Sequence, residues 1–221
     1  MSVTSVARRS SGFARFYARV APAMDVGGVT EHRRALLAGV AGRVLEVGAG
    51  TGANFPHYPP EVTEVIAVEP EPHLRRLAET AARAARVPVT VTDGVAEHLA
   101  APDRDADAVV ACLMLCSVHD RDTALAEMFR VLRPGGRLHF FEHVRADHPG
   151  LRRAQRVLDA TVWPRLNGGC HLATDTAAAV HRAGFTNVRS RKVNWPETRP
   201  TLPFAPHILG TADRPALQGE A

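Results

Sequence analysis

Short apolar runs alternate with helical patterns along most of the chain, beginning near Val44. Five runs rich in Val, Leu and Ile predict strands at residues 43–47, 64–68, 89–92, 108–113 and 136–141, and two later segments, 187–193 and 206–211, predict two more. Helical spacing of Leu and Ala predicts helices at residues 71–85, 123–132 and 174–183. Because apolar strands that alternate with helices are typical of parallel sheets covered on both faces, the pattern predicts an α/β fold.

Two segments lie outside this alternation. Residues 13–37 predict helix in pieces, with a break around Pro22 and Gly27-Gly28. Residues 145–170 lie at the carboxyl end of the fifth strand, where long segments usually carry the site. We therefore expect an N-terminal helical segment at residues 1–37 and one domain at residues 38–221, in which residues 145–172 cover the site.

The aromatic residues of the N-terminal segment allow two interpretations. Phe13, Phe16 and Tyr17 are expected to form a lid over the site. The alternative is an amphipathic helix resting on a membrane, with Arg15 and Arg19 toward the lipid headgroups. Peripheral membrane contact is therefore expected to be weak at most.

Composition and charge exclude several classes of function. The 221 residues carry 27 basic and 23 acidic side chains, without a dense basic stripe between aromatic residues, so no nucleic-acid partner is expected. No run of 18 apolar residues and no secretory signal occurs, so no integral membrane segment is expected. Three cysteines are too few for a disulfide scaffold, which favours a reducing, cytoplasmic location.

A glycine-rich loop follows the first predicted strand, with the sequence Glu46-Val47-Gly48-Ala49-Gly50-Thr51-Gly52. Glycines there let the backbone turn sharply and approach a ligand, and an acid such as Glu69 at the end of the second strand can accept hydrogen bonds from a ribose. NAD and S-adenosylmethionine sites share these features. Glu46 would repel a pyrophosphate but would attract a positively charged amino-acid end, which favours S-adenosylmethionine.

An ordered set of motifs resembles the class I S-adenosylmethionine-dependent methyltransferases. The motifs lie within residues 30–145, and they are Leu45–Gly52, Val68–Pro70, Ala96-Glu97-His98-Leu99, Asp107–Val110 and Val131–Gly136. The core is similar to the ubiquinone/menaquinone C-methyltransferase type. The resemblance implies a three-layer Rossmann-like fold, with a seven-stranded, mostly parallel sheet and helices on both faces.

A narrower resemblance, to the alkyl thiol methyltransferase family, extends to about residue 212. It rests on Gly52-Ala53-Asn54-Phe55, Tyr58-Pro59-Pro60, Leu115-Cys116-Ser117-Val118, Phe141-Glu142-His143-Val144, Val157-Leu158-Asp159, Gly169-Cys170 and Pro206-His207-Ile208. This family methylates small thiols, so the resemblance implies methyl transfer to a thiol sulfur of a small-molecule acceptor. Transfer to carbon, oxygen or nitrogen of a quinone precursor, phospholipid amine or specialised metabolite is the alternative. A non-enzymatic binding module for S-adenosylmethionine or NAD is a third hypothesis.

The resemblance implies a set of residues around the cofactor. The methionine part would face Glu46, Gly48, Gly50, Gly52 and Asn54, the ribose Glu69, and the adenine Pro70 and His73. The sulfonium would lie beside Cys112, Leu113 and Met114. Val95 stands where many relatives have an acid for the adenine amino group, so backbone groups of Val95 and Ala96, or Asp93, are expected to replace it.

Candidate catalytic residues lie at the carboxyl edge of the sheet and in the covering segment. Glu142 and His143 could form a general base with an orienting acid, and His171 follows Cys170. An apolar wall of Met114, Leu115, Trp163 and Leu166 would suit a small lipophilic thiol. The spacing of Cys112, Cys116 and Cys170-His171 matches no ordinary zinc knuckle, so we expect no metal, with the cysteines as small buried hydrophobes.

Overall fold

The computed structural model describes residues 11–217 and contains a seven-stranded sheet in the order β3-β2-β1-β4-β5-β7-β6. The strands are β1 (Gly42–Val47), β2 (Val62–Val68), β3 (Val89–Thr92), β4 (Ala106–Cys112), β5 (Leu132–His143), β6 (Thr186–Asn194) and β7 (Pro206–Asp213). β7 pairs antiparallel with both β5 and β6, and the other pairs are parallel. The predicted α/β sheet is confirmed.

Helices cover both faces of the sheet. They are α1 (Ser11–Met24), α2 (Thr30–Leu37), α3 (Pro72–Ala82), α4 (Arg121–Val131), α5 (Pro149–Ala160), α6 (Trp163–Leu166) and α7 (Thr176–Arg182). Alternate residues of each strand face opposite sides. Val109 packs in one core with Leu125 of α4, and Val110 packs in the other with Leu37 of α2.

The break in the N-terminal segment lies at one of the two predicted positions, Gly27-Gly28, and not at Pro22. Helix α1 continues through Pro22, and a π-helical turn, Asp25–Val29, joins it to α2. The non-helical backbone is at Gly28, with φ of 107°. Glycine adopts this left-handed conformation without steric cost, so the chain turns there and not at the proline.

The parallel register brings four strand ends to one edge. Val47 pairs with Val68 and Ala111, and Cys112 pairs with Phe141. The residues that follow β1, β2, β4 and β5 are therefore neighbours at the carboxyl edge. This is the edge at which ligands bind in open α/β sheets.

Helix α1 lies over this edge and contacts two loops. The Tyr17 ring lies 3.5 Å from the position that a Cβ of Gly50 would occupy, and the Phe13 ring lies against Gly168 of the covering segment. Phe16, by contrast, is exposed. Across residues 11–217, we find no helix with the length and apolar character needed to cross a membrane.

The covering segment is tied to the domain by two side chains of α5. The fully buried Gln155 accepts a hydrogen bond from Ala146 N and donates to the carbonyls of Val144 and Pro203. The Asp159 carboxylate accepts hydrogen bonds from the N–H groups of residues 172 and 173. These contacts fix the chain around residue 170 relative to the end of β5.

Candidate active site

The glycine loop packs tightly against the end of β4. Gly48 has φ of +72°, and a Cβ there would lie 2.7 Å from Cβ of Met114. Gly52 has φ of +80° and lies against the Phe55 ring. Both positions need glycine for conformation and for space, and the loop can therefore bring its backbone close to a ligand.

Glu46 is buried within a hydrogen-bonded network just before the loop. One carboxylate oxygen accepts from Asn54 Nδ2 at 2.9 Å and the other from the Tyr58 hydroxyl at 2.7 Å. Burial raises the pKa of the Glu46 carboxyl to about 7, although these two hydrogen bonds and the charge of Arg33 act in the opposite direction. A cation beside Glu46 would favour the ionised form.

Arg33 of α2 reaches the same network, and the sequence analysis missed it. Its Nε lies 3.0 Å from Asp25, and its Nη1 donates to Asn54 Oδ1 at 2.9 Å and to Cys112 Sγ at 3.3 Å. Nη2 is buried and has no hydrogen-bond partner among residues 11–217. A buried guanidinium nitrogen without an acceptor is costly, so this corner of the site suits a ligand carboxylate. Because Arg33 is one of several arginines in its segment, nothing in the sequence distinguished it as a site residue.

Glu69 lies at the end of β2 and holds two loops together. Its Oε2 accepts from Gly50 N at 2.8 Å, and its Oε1 accepts from Glu71 N at 2.9 Å. Burial raises the pKa of the carboxyl. Each oxygen retains a second lone pair for a ligand hydroxyl.

The region predicted for the adenine is more open. Pro70 is exposed, His73 is half-buried, and Ala96 is buried beside the half-buried Val95. Asp93 forms an ion pair with Arg75 and is largely exposed. Asp93 is therefore held at the surface, which favours the backbone of Val95 and Ala96 for this role.

The end of β4 adopts a strained conformation. Leu113 has φ of 57°, and its N–H donates to Phe141 O at 2.7 Å. Non-glycine residues with positive φ concentrate at functional sites, where the surrounding structure maintains the strain. Cys112 is buried against Arg33, and burial raises the pKa of its thiol to about 11. Cys112, Leu113 and Met114 therefore lie beside the glycine loop and the Arg33 network.

Glu142 has a different partner from the one that the sequence suggests. Its buried carboxylate accepts hydrogen bonds from the backbone N–H groups of Met114, Leu115 and Cys116 at 2.9, 2.9 and 3.2 Å. Within the described residues it makes no hydrogen bond to His143. The expected acid–base pair is thus replaced by a clamp that fixes the loop after β4.

His143 contacts two cysteines that are 54 residues apart in sequence. Its Nδ1 lies 3.6 Å from Cys116 Sγ and 3.5 Å from Cys170 Sγ, and the two sulfurs are 3.4 Å apart. The contact between the thiols lowers the pKa of Cys170 and raises that of Cys116. This cluster differs from the candidate zinc ligands considered in the sequence analysis. It includes His143, and it does not include Cys112 or His171. All three cysteines are buried, as expected, but Cys116 and Cys170 also contact each other.

Three other residues predicted for the site differ in their exposure and contacts. The His171 side chain is exposed, while its backbone N–H donates to Cys116 O at 2.8 Å. Trp163 stacks on Phe204, with ring centroids 5.4 Å apart. Leu166 is 67% exposed, so the expected apolar wall does not include it in this conformation.

Comparison with known proteins places the chain in a family. Residues 45–140 match the methyltransferase domain model. Thiol S-methyltransferase TMT1B of Mus musculus is 39% identical over 184 residues, which cover 80% of this chain and 73% of the mouse protein. The chain belongs to the thiol S-methyltransferase family. It is an S-adenosylmethionine-dependent methyltransferase, with S-adenosylmethionine as its cofactor.

Two further comparisons show similarity to other methyltransferases that is limited in length or in sequence identity. Demethylmenaquinone methyltransferase of Thermobifida fusca is 42% identical over 96 residues, but these cover only 43% of this chain and 41% of that protein. The crystal structure of a methyltransferase from Thermotoga maritima superposes with a TM-score of 0.71 at 20% identity, over 94% of this chain and 99% of the other. At this identity the structural likeness supports the fold alone.

Proposed function

We propose that this enzyme transfers the methyl group of S-adenosylmethionine to the sulfur of a small thiol. One observation carries the proposal. The similarity to the mouse thiol S-methyltransferase spans 184 residues, well beyond the 96 residues shared with the menaquinone enzyme. The likeness therefore includes residues outside the common cofactor-binding core.

The cofactor is proposed to bind with its amino-acid end in the Glu46–Arg33 network. The ionised Glu46 would receive the ammonium group, and the unpaired Nη2 of Arg33 would receive the carboxylate. Glu69 would accept hydrogen bonds from the ribose hydroxyls, while it still holds Gly50. The loop 112–114 would lie beside the sulfonium, as the family resemblance implies.

Methyl transfer to a thiol requires little acid–base catalysis by the protein. The sulfonium already activates the methyl carbon, so alignment of sulfur and methyl at about 3–3.5 Å is the main requirement. A thiol with a pKa near 8.5 has a few per cent thiolate at neutral pH. Glu142 contributes as a positioning residue, since it fixes the backbone of residues 114–116.

Helix α1 is proposed as the lid of this site. Its Tyr17 lies against Gly50 of the cofactor loop, and its Phe13 lies against Gly168 of the covering segment. A lid in this place would exclude water from both substrates. The exposed Phe16 is compatible with the alternative, contact with a membrane surface.

The acceptor class is tested by methyl transfer from cofactor carrying a labelled methyl group. Alkyl thiols, phenols, amines and carbon acids are offered in parallel at one pH, and products are identified by mass. We expect thioethers from the thiols. Gly48→Ala, which disrupts the cofactor loop, is the control for non-enzymatic transfer. Methylation of a carbon, oxygen or nitrogen acceptor without any thioether would reject the proposal in favour of the alternative.

A further inference from the structure

A cluster of three potential metal ligands lies at the carboxyl edge of the sheet, beneath the covering segment. Cys116 follows β4, His143 ends β5, and Cys170 lies in the covering segment. Their donor atoms all lie within 4.8 Å of one another, and each of the three pairs is separated by 3.4–3.6 Å. The cofactor network of Glu46, Arg33 and Glu69 does not use these side chains.

The distances match the edges of a tetrahedral zinc site. With Zn–S near 2.3 Å and Zn–N near 2.05 Å, tetrahedral angles give donor separations of about 3.8 Å for S···S and about 3.6 Å for S···N. The observed separations are 3.4 Å between the sulfurs and 3.5 and 3.6 Å from sulfur to Nδ1. One ion at the centre would thus require shifts of only a few tenths of an ångström.

The backbone around the cluster is fixed from several sides. Cys116 N donates to Glu142, and Cys116 O accepts from the N–H of His171. The His143 carbonyl accepts a 2.6 Å hydrogen bond from Thr174 Oγ1. Ligands held in this way need little rearrangement when a metal binds.

The indole of Trp163 adds a second observation. Its Nε1 is buried against Cys170, and among residues 11–217 the only acceptor near it is the Cys170 sulfur. An N–H group facing a metal-bound thiolate is a favourable outer-sphere contact, since the sulfur then carries negative charge. A neutral thiol is a much weaker acceptor.

We propose that Cys116, His143 and Cys170 bind one Zn²⁺ ion, whose fourth position takes the sulfur of the acceptor thiol. This inference rests on the proposed function. Three protein ligands with one open position are typical of catalytic rather than structural zinc sites. Sulfur is also a ligand that zinc prefers, so the same site would select thiols over phenols and amines.

The reaction balances without any further reactant. The acceptor thiol binds and loses its proton to solvent, and the sulfur then attacks the methyl carbon of S-adenosylmethionine. The carbon–sulfonium bond breaks, and its electron pair stays on the sulfur of S-adenosylhomocysteine. The neutral thioether is a weaker ligand than a thiolate and leaves, so that water can occupy the position again.

Metal binding is measured on the untagged full chain, independently of turnover. The protein is reduced with a phosphine, equilibrated with Zn²⁺ or Co²⁺, and desalted before elemental analysis and absorption spectroscopy. We expect one metal ion per chain and a thiolate-to-cobalt charge-transfer band. Cys116→Ser, Cys170→Ser and His143→Ala should each weaken metal binding by more than about 100-fold, beyond the typical loss for an outer-sphere partner. Cys112→Ser is the matched control and should retain the metal.

The fourth position is tested on the cobalt protein by titration with 2-mercaptoethanol. We expect the cobalt bands to shift in the original protein, and urea unfolding followed by circular dichroism should show that each variant is folded. No bound metal, equal metal in all variants, or a Cys116–Cys170 disulfide in the reduced protein would overturn the site. Metal without any response to the thiol would overturn the role of the fourth position. If the site binds metal and thiol but no thioether forms, the proposed function fails while the metal site stands.

Discussion

We predict that the buried Glu46 carboxyl makes cofactor affinity depend on pH. Burial raises its pKa to about 7, so the free enzyme at pH 6 holds mainly the protonated form. An ammonium group beside it favours the ionised form, so the pKa falls when cofactor binds. Binding therefore releases a proton below pH 7. Affinity must rise as the pH increases and level off once Glu46 is ionised in the free enzyme.

The size of the effect follows from the ionised fraction. With a pKa of about 7, that fraction rises from about one tenth at pH 6 to about one half at pH 7, so affinity for S-adenosylhomocysteine should rise about five-fold, or about 1 kcal/mol. The amino group of the ligand, with a pKa near 8, stays mainly protonated over this interval. The groups that also act on Glu46 are Tyr58, Asn54, Arg33 and Glu69.

Glu46→Gln removes the titrating group while it keeps the shape of the side chain. We expect affinity lower by about 10- to 150-fold at pH 7, from the loss of about 1.5–3 kcal/mol for a hydrogen bond to a charged group. Calorimetric titrations at pH 6 and 7 should show no rise in affinity for this variant. Glu79→Gln, at an exposed position of α3, is the control and should behave as the original protein. An original enzyme without the rise, or a Gln variant that retains it, would refute the placement of the ligand cation at Glu46.

Three further variants, with Gly39→Ala as a control for the first, test the loops around the site. Gly48→Ala and Gly39→Ala share left-handed φ values of +72° and +75°, so each should lose at least about 1–2 kcal/mol in unfolding free energy. A Cβ meets Met114 only at Gly48, so only Gly48→Ala should lose more than this and also lose cofactor binding. Glu69→Gln should weaken S-adenosylhomocysteine binding by about 10- to 150-fold in the same calorimetric assay, and unchanged affinity would place the ribose elsewhere. Glu142→Gln puts an amide nitrogen against one of the three backbone N–H donors that the carboxylate accepts from. We expect this variant to lose about 1.5–3 kcal/mol of unfolding free energy in urea and to have a lower kcat. A stable, fully active variant would contradict the clamp role of Glu142.

The sequence predicts the sheet well because local patterns encode strands. The predicted segment 89–92 coincides with β3, and the predicted start of β7 is correct. β5 begins at Leu132, four residues earlier than predicted, because pairing of Leu132 with Ala106 extends the strand through the Pro134-Gly135 turn residues. Of the two breaks predicted in the N-terminal segment, the one at Gly27-Gly28 occurs, whereas the helix continues through Pro22.

The contacts of the site depend on tertiary structure that no local pattern reveals. Glu142 follows an apolar run and precedes a histidine, yet its partners are three backbone N–H groups about 27 residues earlier. Arg33 is separated from Cys112 by 79 residues. Residue types and spacing identify candidates, but the crossover connections of the sheet determine which of them meet.

Helix α1 contacts both the Gly50 loop and the Gly168 loop, so if it acts as the proposed lid, its closure is an event that cofactor and acceptor share. The ligand that binds first bears the free-energy cost of ordering the helix, and the second binds to a helix already in place. The two binding equilibria are then coupled with positive sign. Thermodynamic linkage requires the coupling to be reciprocal, so an acceptor thiol must increase the affinity for S-adenosylhomocysteine by the same factor by which S-adenosylhomocysteine increases the affinity for the thiol.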